Sequence, residues 1–211
     1  AGNVLGDLIA SGVVPVVALT EIFRQSMKSL IVTNAHKIVK GEMPDLNIHN
    51  KDFFFLPCSS ADKITETIIG LCKDRLPKSY GYSAMTDIQV LCPGRKGLLG
   101  VIELNKKLQE VLNPPIGTNL DLNIGTYSLR YGDKVMQIRN NYDLIWTRGD
   151  DDDGEGVFNG DIGIVVRVNS KAGTVSVKFD DKLVEYDRES VRDLELAYAT
   201  TVHKSQGNEF E

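Results

Sequence analysis

The chain has 211 residues, 42% hydrophobic and 25% charged, which suits one large or two small globular domains and excludes wholesale disorder. The net charge of −5 argues weakly against nucleic acid as a partner of the surface as a whole, although net charge does not describe a cleft. No apolar run is long enough to cross a bilayer, the opening AGNVLGDLIASG lacks a basic n-region, and Cys58, Cys72 and Cys92 form no CxxC. These features point to a reducing cytoplasm, no membrane, no disulfide framework and no metal site.

In chain order, SLIVTNAHKIVKGEMP predicts a helix with Ile31, Ala35, Ile38 and Val39 inward, Ser29 as N-cap, Gly41 as C-cap and Pro44 beyond. DFFFLPC reads as a short buried strand. SADKITETIIGLCKDRL predicts a second helix, with Ile64, Ile68, Leu71 and Cys72 on one face. DIQVLCP is another strand, and GLLGVIELNKKLQEVLNPP a third helix with Val101, Leu104, Leu108, Val111 and Leu112 inward, stopped by Pro114 and Pro115. This alternation predicts βαβ units and a parallel sheet covered on both faces.

The pattern changes near Tyr127. RYGDKVMQIRN, GDIGIVVRVN, GTVSVKFDD and KLVEYDRES are short strands joined by turn residues, with Val175, Val177 and Phe179 alternating with polar positions. They predict a small antiparallel barrel of a size that can fold alone. LELAYAT then returns to the buried-strand style, so the barrel reads as an insertion. GDDDDGEG (149–156) lacks EF-hand spacing, since Ile162 stands where the twelfth ligand belongs, and reads as a solvated hairpin tip. His36 reads as a structural helix residue and His49 as a loop residue.

Three stretches bear chemistry. LELAYAT runs into TTVHKSQGNEFE, and ligands of parallel α/β sheets bind at the carboxyl ends of strands. Thr200, Thr201, His203, Lys204 and Ser205 can donate to phosphate oxygens, Gly207 permits close backbone approach, and Glu209 can accept from ribose hydroxyls. The same residues also fit an ordinary polar strand-to-helix loop. LCPGRKGLLG spaces its glycines GxxGxxG, neither a dinucleotide fingerprint nor a Walker A loop. Arg95 and Lys96, with Lys106 and Lys107 nearby, suit a phosphate backbone, and equally suit a solvated glycine-rich turn. Arg24, just past VVPVVALTEIF, is placed to act as an arginine finger or to be an ordinary surface arginine.

Taken together, AGNVLGDLI, LTEIFRQS with SLIVTNAHKIVKGE, VLCPGRKGLLGVIELNKKLQEVLNPP, GDKVMQIRNNYD with VFNGDIGIV, and LAYATTVHKSQGNEF resemble the RecD-like branch of superfamily 1 DNA helicases, the family of the exodeoxyribonuclease V alpha subunit. The segments occur in the family's order over nearly the whole chain. The resemblance implies an α/β fold: an incomplete RecA-like parallel-sheet motor domain with an inserted SH3-like antiparallel β-barrel. It implies a first-motor-domain tail at 1–28, a second motor domain at 29–126 and 194–211, and the barrel at 127–193.

By similarity the function is that of an ATP-dependent helicase moving 5′ to 3′ on single-stranded DNA, in DNA repair or recombination. Arg24 would be catalytic and contact the γ-phosphate of ATP, with Gly207 and Glu209 also on the nucleotide. Arg95, Lys96, Thr201, His203 and Lys204 would follow the DNA backbone. The Walker A lysine and the Mg²⁺-binding acidic motif are expected before Ala1 and the final arginine motif after Glu211, so the stretch alone is expected to be inactive. Partner subunits of an exonuclease complex are a further implication. The rival readings are a non-catalytic module binding nucleic acid or a partner through the barrel, and a relaxase-linked helicase domain.

Overall fold

The computed structural model describes residues 3–17, 29–48, 52–115, 117, 121–149, 152–206, 208 and 210. The chain divides into two compact units, Ala1–Pro57 and Cys58–Glu211.

The first unit contains α1 (Val4–Ser11) and α2 (Leu30–Val39). Helix α2 begins where its residue types require: the Ser29 hydroxyl accepts from the Val32 N–H, and Asp52 accepts from the Leu30 N–H. It ends in a Schellman arrangement around Gly41 (φ +76°), in which the Gly41 N–H bonds the Ile38 carbonyl and the Glu42 N–H that of Lys37. The buried face is not the expected one. Leu30, Val32 and Asn34 are buried, while Ile31, Ala35, Ile38 and Val39 are exposed. The reason is Asn34, which bonds both the N–H and the carbonyl of Asp45 and folds the returning chain across its own side of the helix. Lys37 reinforces this by pairing with Asp45 at 2.7 Å. His36 is exposed. DFFFLPC is not a strand: Phe54, Phe55 and Leu56 pair with no strand among the described residues and are exposed, and Pro57 offers no N–H for a ladder.

In the second unit, α3 (Ala61–Gly70) is capped by the Ser60 hydroxyl. It continues through a π-helical turn (Leu71–Arg75) into α4 (Leu76–Tyr80). The wide turn precedes Pro77, whose ring crowds the preceding turn and which lacks an N–H. Strand β1 (Val90–Cys92) and helix α5 (Val101–Leu112) follow, and α5 buries Val101, Leu104 and Leu108 as expected. A short hairpin, β2 (Leu122–Asn123) and β3 (Ser128–Leu129), leads into β4 (Lys134–Gln137), β5 (Asn141–Arg148), β6 (Asp152–Val157), β7 (Ile162–Asn169), β8 (Thr174–Phe179) and β9 (Lys182–Tyr186). After a 3-10 turn come β10 (Leu194–Leu196) and β11 (Ala199–Thr201).

Seven of these strands form one antiparallel sheet in the order β10-β4-β7-β8-β9-β5-β6. Val175, Val177 and Phe179 of β8 are buried at alternate positions, as the pattern predicts. Residues 152–156 belong to β6, so most of the stretch expected to be a solvated hairpin tip is strand. Among the described residues the parallel pairing is confined to β1 with β11, so the expected multi-stranded parallel sheet is replaced by a dominant antiparallel one. LELAYAT is two strands in two sheets. β10 closes the antiparallel sheet beside β4, running past the expected end of the barrel at 193, and β11 joins β1.

Helix α5 and the sheet share a single core, in which Leu104 and Leu108 join Leu129, Val135, Val165, Tyr186 and Leu194. The sheet strands between 128 and 192 therefore lack part of their own core and one edge strand when taken alone. Polar side chains lock this junction. Asn105 donates to the carbonyls of Leu196 (2.7 Å) and Ala199 (2.9 Å) and accepts from the Ala199 N–H (2.7 Å). The fully buried Asp133 carboxylate accepts from Gln109, Asn113, the Arg130 N–H and the Tyr198 hydroxyl, all within 2.8 Å. Burial pushes the Asp133 carboxyl above its ordinary range, against four hydrogen bonds that favour its charged form.

Replacing Asp133 with Ala strands four donors in a dry interior. The loss expected is about 3 kcal/mol or more, read as a lowered thermal midpoint, and an unchanged midpoint would contradict the network's role. Lys134 supplies a pH test. It is 2% exposed, its ammonium donates to the Ile88 carbonyl at 3.0 Å, and burial lowers its pKa to about 8 despite Asp87 and Cys72 nearby. Below pH 8 the lysine is charged in both folded and unfolded chains. Between there and its unfolded value of about 10.4 only the unfolded chain holds the proton, so folded stability rises with pH. Relative to Lys134→Met, the native protein should gain roughly 3 kcal/mol across that window. Parallel pH profiles from denaturant titrations would show this, and a constant difference would contradict it.

Candidate nucleic-acid interface

The parallel pair sets Val90 opposite Ala199, Leu91 opposite Thr200 and Cys92 opposite Thr201. Both strands point the same way, so their carboxyl ends release the loop 93–100 and the turn 202–206 side by side. The Val202 N–H extends the ladder to the Cys92 carbonyl at 3.1 Å. Two stretches about a hundred residues apart in sequence thus meet at one edge.

The loop after β1 is shaped by glycine. A Cβ on Gly100 would lie 2.6 Å from the carbonyl oxygens of Arg95 and Lys96, so the backbone there passes where only glycine leaves room. This close wrapping directs the Gly97, Gly94 and Arg95 carbonyls at the N–H groups of Gly100, Val101 and Ile102. The start of α5 is therefore capped by its own loop and offers no cradle of free amides to a phosphate. What the loop presents instead is the side chains of Arg95 and Lys96, both exposed. Among the described residues Lys96 makes no ion pair.

The turn after β11 is held by Thr201, whose carbonyl accepts from the Lys204 and Ser205 N–H groups and whose hydroxyl accepts from the Lys204 N–H. The Ser205 hydroxyl is committed to the Val202 carbonyl at 2.8 Å, which takes it out of the set of free phosphate donors. His203 is exposed. Of the residues expected on a DNA backbone, Arg95, Lys96, Thr201, His203 and Lys204 are all brought to this edge. Arg24, Gly207 and Glu209, expected on the nucleotide, lie outside the described residues, as do His49, Asp150 and Asp151.

Glu195 is the residue that sequence reasoning missed. It lies on β10 between two buried leucines, which reads as an outward strand position. Its carboxylate takes a two-pronged grip from Arg95, Nη1 to Oε2 at 3.0 Å and Nη2 to Oε1 at 2.7 Å, and Lys204 Nζ stands 3.7 Å from Oε2. Burial pushes the Glu195 carboxyl up, but the Arg95 hydrogen bonds and the Lys204 charge outweigh it and hold it below its ordinary range. The same grip raises the Arg95 pKa, while burial holds Lys204 below its usual value. An adjoining cavity of about 310 Å³ is lined by Arg95 and Glu195 and also by Lys106, Tyr127 and Arg130. Lys106 thus joins Arg95, while Arg130 is itself paired with Asp121 at 2.9 Å.

Comparison with known proteins follows this geometry. Residues 104–179 match the family model described as "ATP-dependent RecD-like DNA helicase SH3 domain". The chain is 31% identical over 201 residues to the "ATP-dependent RecD2 DNA helicase" of Deinococcus radiodurans, a match covering 93% of this chain and 24% of that protein. It is 31% identical over 179 residues to the "RecBCD enzyme subunit RecD" of Buchnera aphidicola subsp. Acyrthosiphon pisum, covering 76% of this chain and 26% of that one. A crystal structure of Bacteroides Pif1 bound to ssDNA overlaps 90% of this chain and 43% of its own at 17% identity and a TM-score of 0.38, too loose a likeness to carry an argument. The matched domain covers most of the short alternating strands. These matches support a fragment of a RecD-like superfamily 1 DNA helicase, and the chain spans about a quarter of the length of the curated relatives it matches.

Proposed function

We propose that the chain is the part of an ATP-dependent 5′-to-3′ DNA helicase that grips the single strand, within a protein serving DNA repair or recombination. The observation that carries this reading is the parallel pairing of β1 with β11, which sets LCPGRKG beside TVHKSQG at the carboxyl ends of both strands. Arg95, Lys96 and Lys204 supply positive charge to a strand's phosphates, Thr201 a hydroxyl, and His203 a ring that stacks or hydrogen-bonds. This part of the protein is a RecA-like motor domain carrying the SH3-like barrel.

ATP with Mg²⁺ supplies the energy of movement. Arg24, Gly207 and Glu209 are assigned to the nucleotide on family likeness alone. Partner subunits of an exonuclease complex are proposed on the RecD relative's name. A second reading, binding through the barrel without a motor, is favoured by one feature: Tyr142 and Phe158 are exposed and pack edge to face, with ring centroids 5.7 Å apart.

Salt titration of oligonucleotide binding by the full-length protein tests the grip. Lys96→Ala should lower the salt slope by about 0.7, the share of one phosphate on a single strand. His203→Ala should weaken binding with little change in slope, because a neutral ring releases no counterion. Arg24→Ala should leave this affinity intact and abolish ATP-driven unwinding, since arginine fingers are worth about 10³–10⁵ in rate. Parental slope and affinity in the Lys96 and His203 variants would sink the reading.

A further inference from the structure

We propose that Glu195 is a resident stand-in for a nucleic-acid phosphate, and that single-stranded DNA reaches Arg95 and Lys204 by exchange, a phosphodiester taking the carboxylate's place. This rests on the strand-gripping reading above and adds to it a carboxylate that competes for the site.

The geometry is that of an anion site already filled from within. A guanidinium fork matches a carboxylate and a phosphate equally well. Arg95 spends both prongs on Glu195, and Lys204 faces the same Oε2 oxygen. Two cations converge on one carboxylate, so removing it leaves two positive charges facing one point. Thr200 adds a third group: it is 3% exposed, its hydroxyl has no hydrogen-bond partner among the described residues, and it lines the same small cavity as Arg95, Glu195, Thr201 and Lys204. A buried hydroxyl of that kind is costly unless a ligand satisfies it.

Space decides between joint occupancy and exchange. The cavity between these groups holds about 10 Å³, the room of roughly one water. A phosphate does not fit there beside the carboxylate. The Arg95 side chain is 46% exposed, so a strand can approach it from solvent. Glu195 sits on an outermost strand of the antiparallel sheet, and it also lines the 310 Å³ cavity that contains Lys106 and Arg130. That cavity gives the displaced carboxylate a place to go and, since Arg130 is held by Asp121, Lys106 to meet.

Exchange has a measurable consequence. A cation already neutralised by an internal carboxylate contributes less than a full counterion's worth to the salt dependence, because the released carboxylate attracts solution cations in turn. Glu195→Gln keeps the shape and removes the competitor. In the full-length protein it should tighten binding to a fluorescent single-stranded oligonucleotide about two- to fivefold, the scale of one half-exposed ion pair. It should also steepen the salt slope by roughly 0.7 for each cation freed. In an Arg95→Ala/Lys204→Ala background the same substitution should change neither quantity.

Weaker or unaltered binding by Glu195→Gln, with a native thermal midpoint, overturns the proposal and leaves the strand-gripping reading standing. So does a gain that persists without Arg95 and Lys204, since that reports only a change in overall charge. Should Glu195→Gln fail to fold, Glu195→Asp retains the charge and shortens the reach; it should also bind more tightly than native, and no gain overturns the proposal. Failure of the native protein to bind the oligonucleotide at any salt concentration removes the underlying reading and the proposal with it.

Discussion

The site depends on the carboxamide of Asn105. It bonds the chain on either side of Ala197 and Tyr198, the short passage between a strand of the antiparallel sheet and a strand of the parallel pair. The ladders part here, since the Ala197 N–H bonds the Lys134 carbonyl beside β4 while the Tyr198 carbonyl accepts from the Val90 N–H beside β1, and the Asn105 clamp pins both sides of that parting. With it, the turn after β11 lies beside the loop after β1, and the two cation-bearing stretches become neighbours. Three buried hydrogen bonds of about 1 kcal/mol each are modest in net terms. The cost of leaving the Leu196 and Ala199 groups unpaired is what makes the arrangement exclusive.

Asp133 performs the corresponding task one and two helical turns further along α5, where Gln109 and Asn113 reach it. Helix α5 is thus more than an apolar ridge. Its Leu104 and Leu108 fill the core while Asn105, Gln109 and Asn113 read the backbone and side chains of the sheet it covers. The SH3-like module and the loop-bearing strands are fastened to the same helix, consistent with a family match that begins inside α5 at residue 104.

Much of this was legible in the sequence, and what was not has physical causes. Helix α5 and the alternation in β8 followed from periodicity because one face is apolar and the other is not. The family likeness came from short motifs, and the overall identity to the Deinococcus relative is 31%. Periodicity failed where a polar residue outbid an apolar one for the interior: Asn34 turned α2 so that Ile31 and Ile38 face solvent. Composition is no guide in GDKVMQ either, where the charged Asp133 and Lys134 are buried on specific partners. LELAYAT could not be divided by pattern, since both halves are buried and the division lies in Asn105, some ninety residues earlier. Glu195 escaped notice because its role is set by what stands across from it. The −5 net charge describes the surface as a whole, whereas the edge gathers Arg95, Lys96 and Lys204 and carries its own carboxylate.

The central claim is that loops 93–100 and 202–206 form one interface. Hydrogen–deuterium exchange on the full-length protein, with and without a single-stranded oligonucleotide, tests it most directly. Both segments should gain protection together, with the same dependence on oligonucleotide concentration, while β5 around Tyr142 and the chain around Phe158 remain unchanged. Protection confined to those barrel segments, or to only one of the two loops, would contradict it.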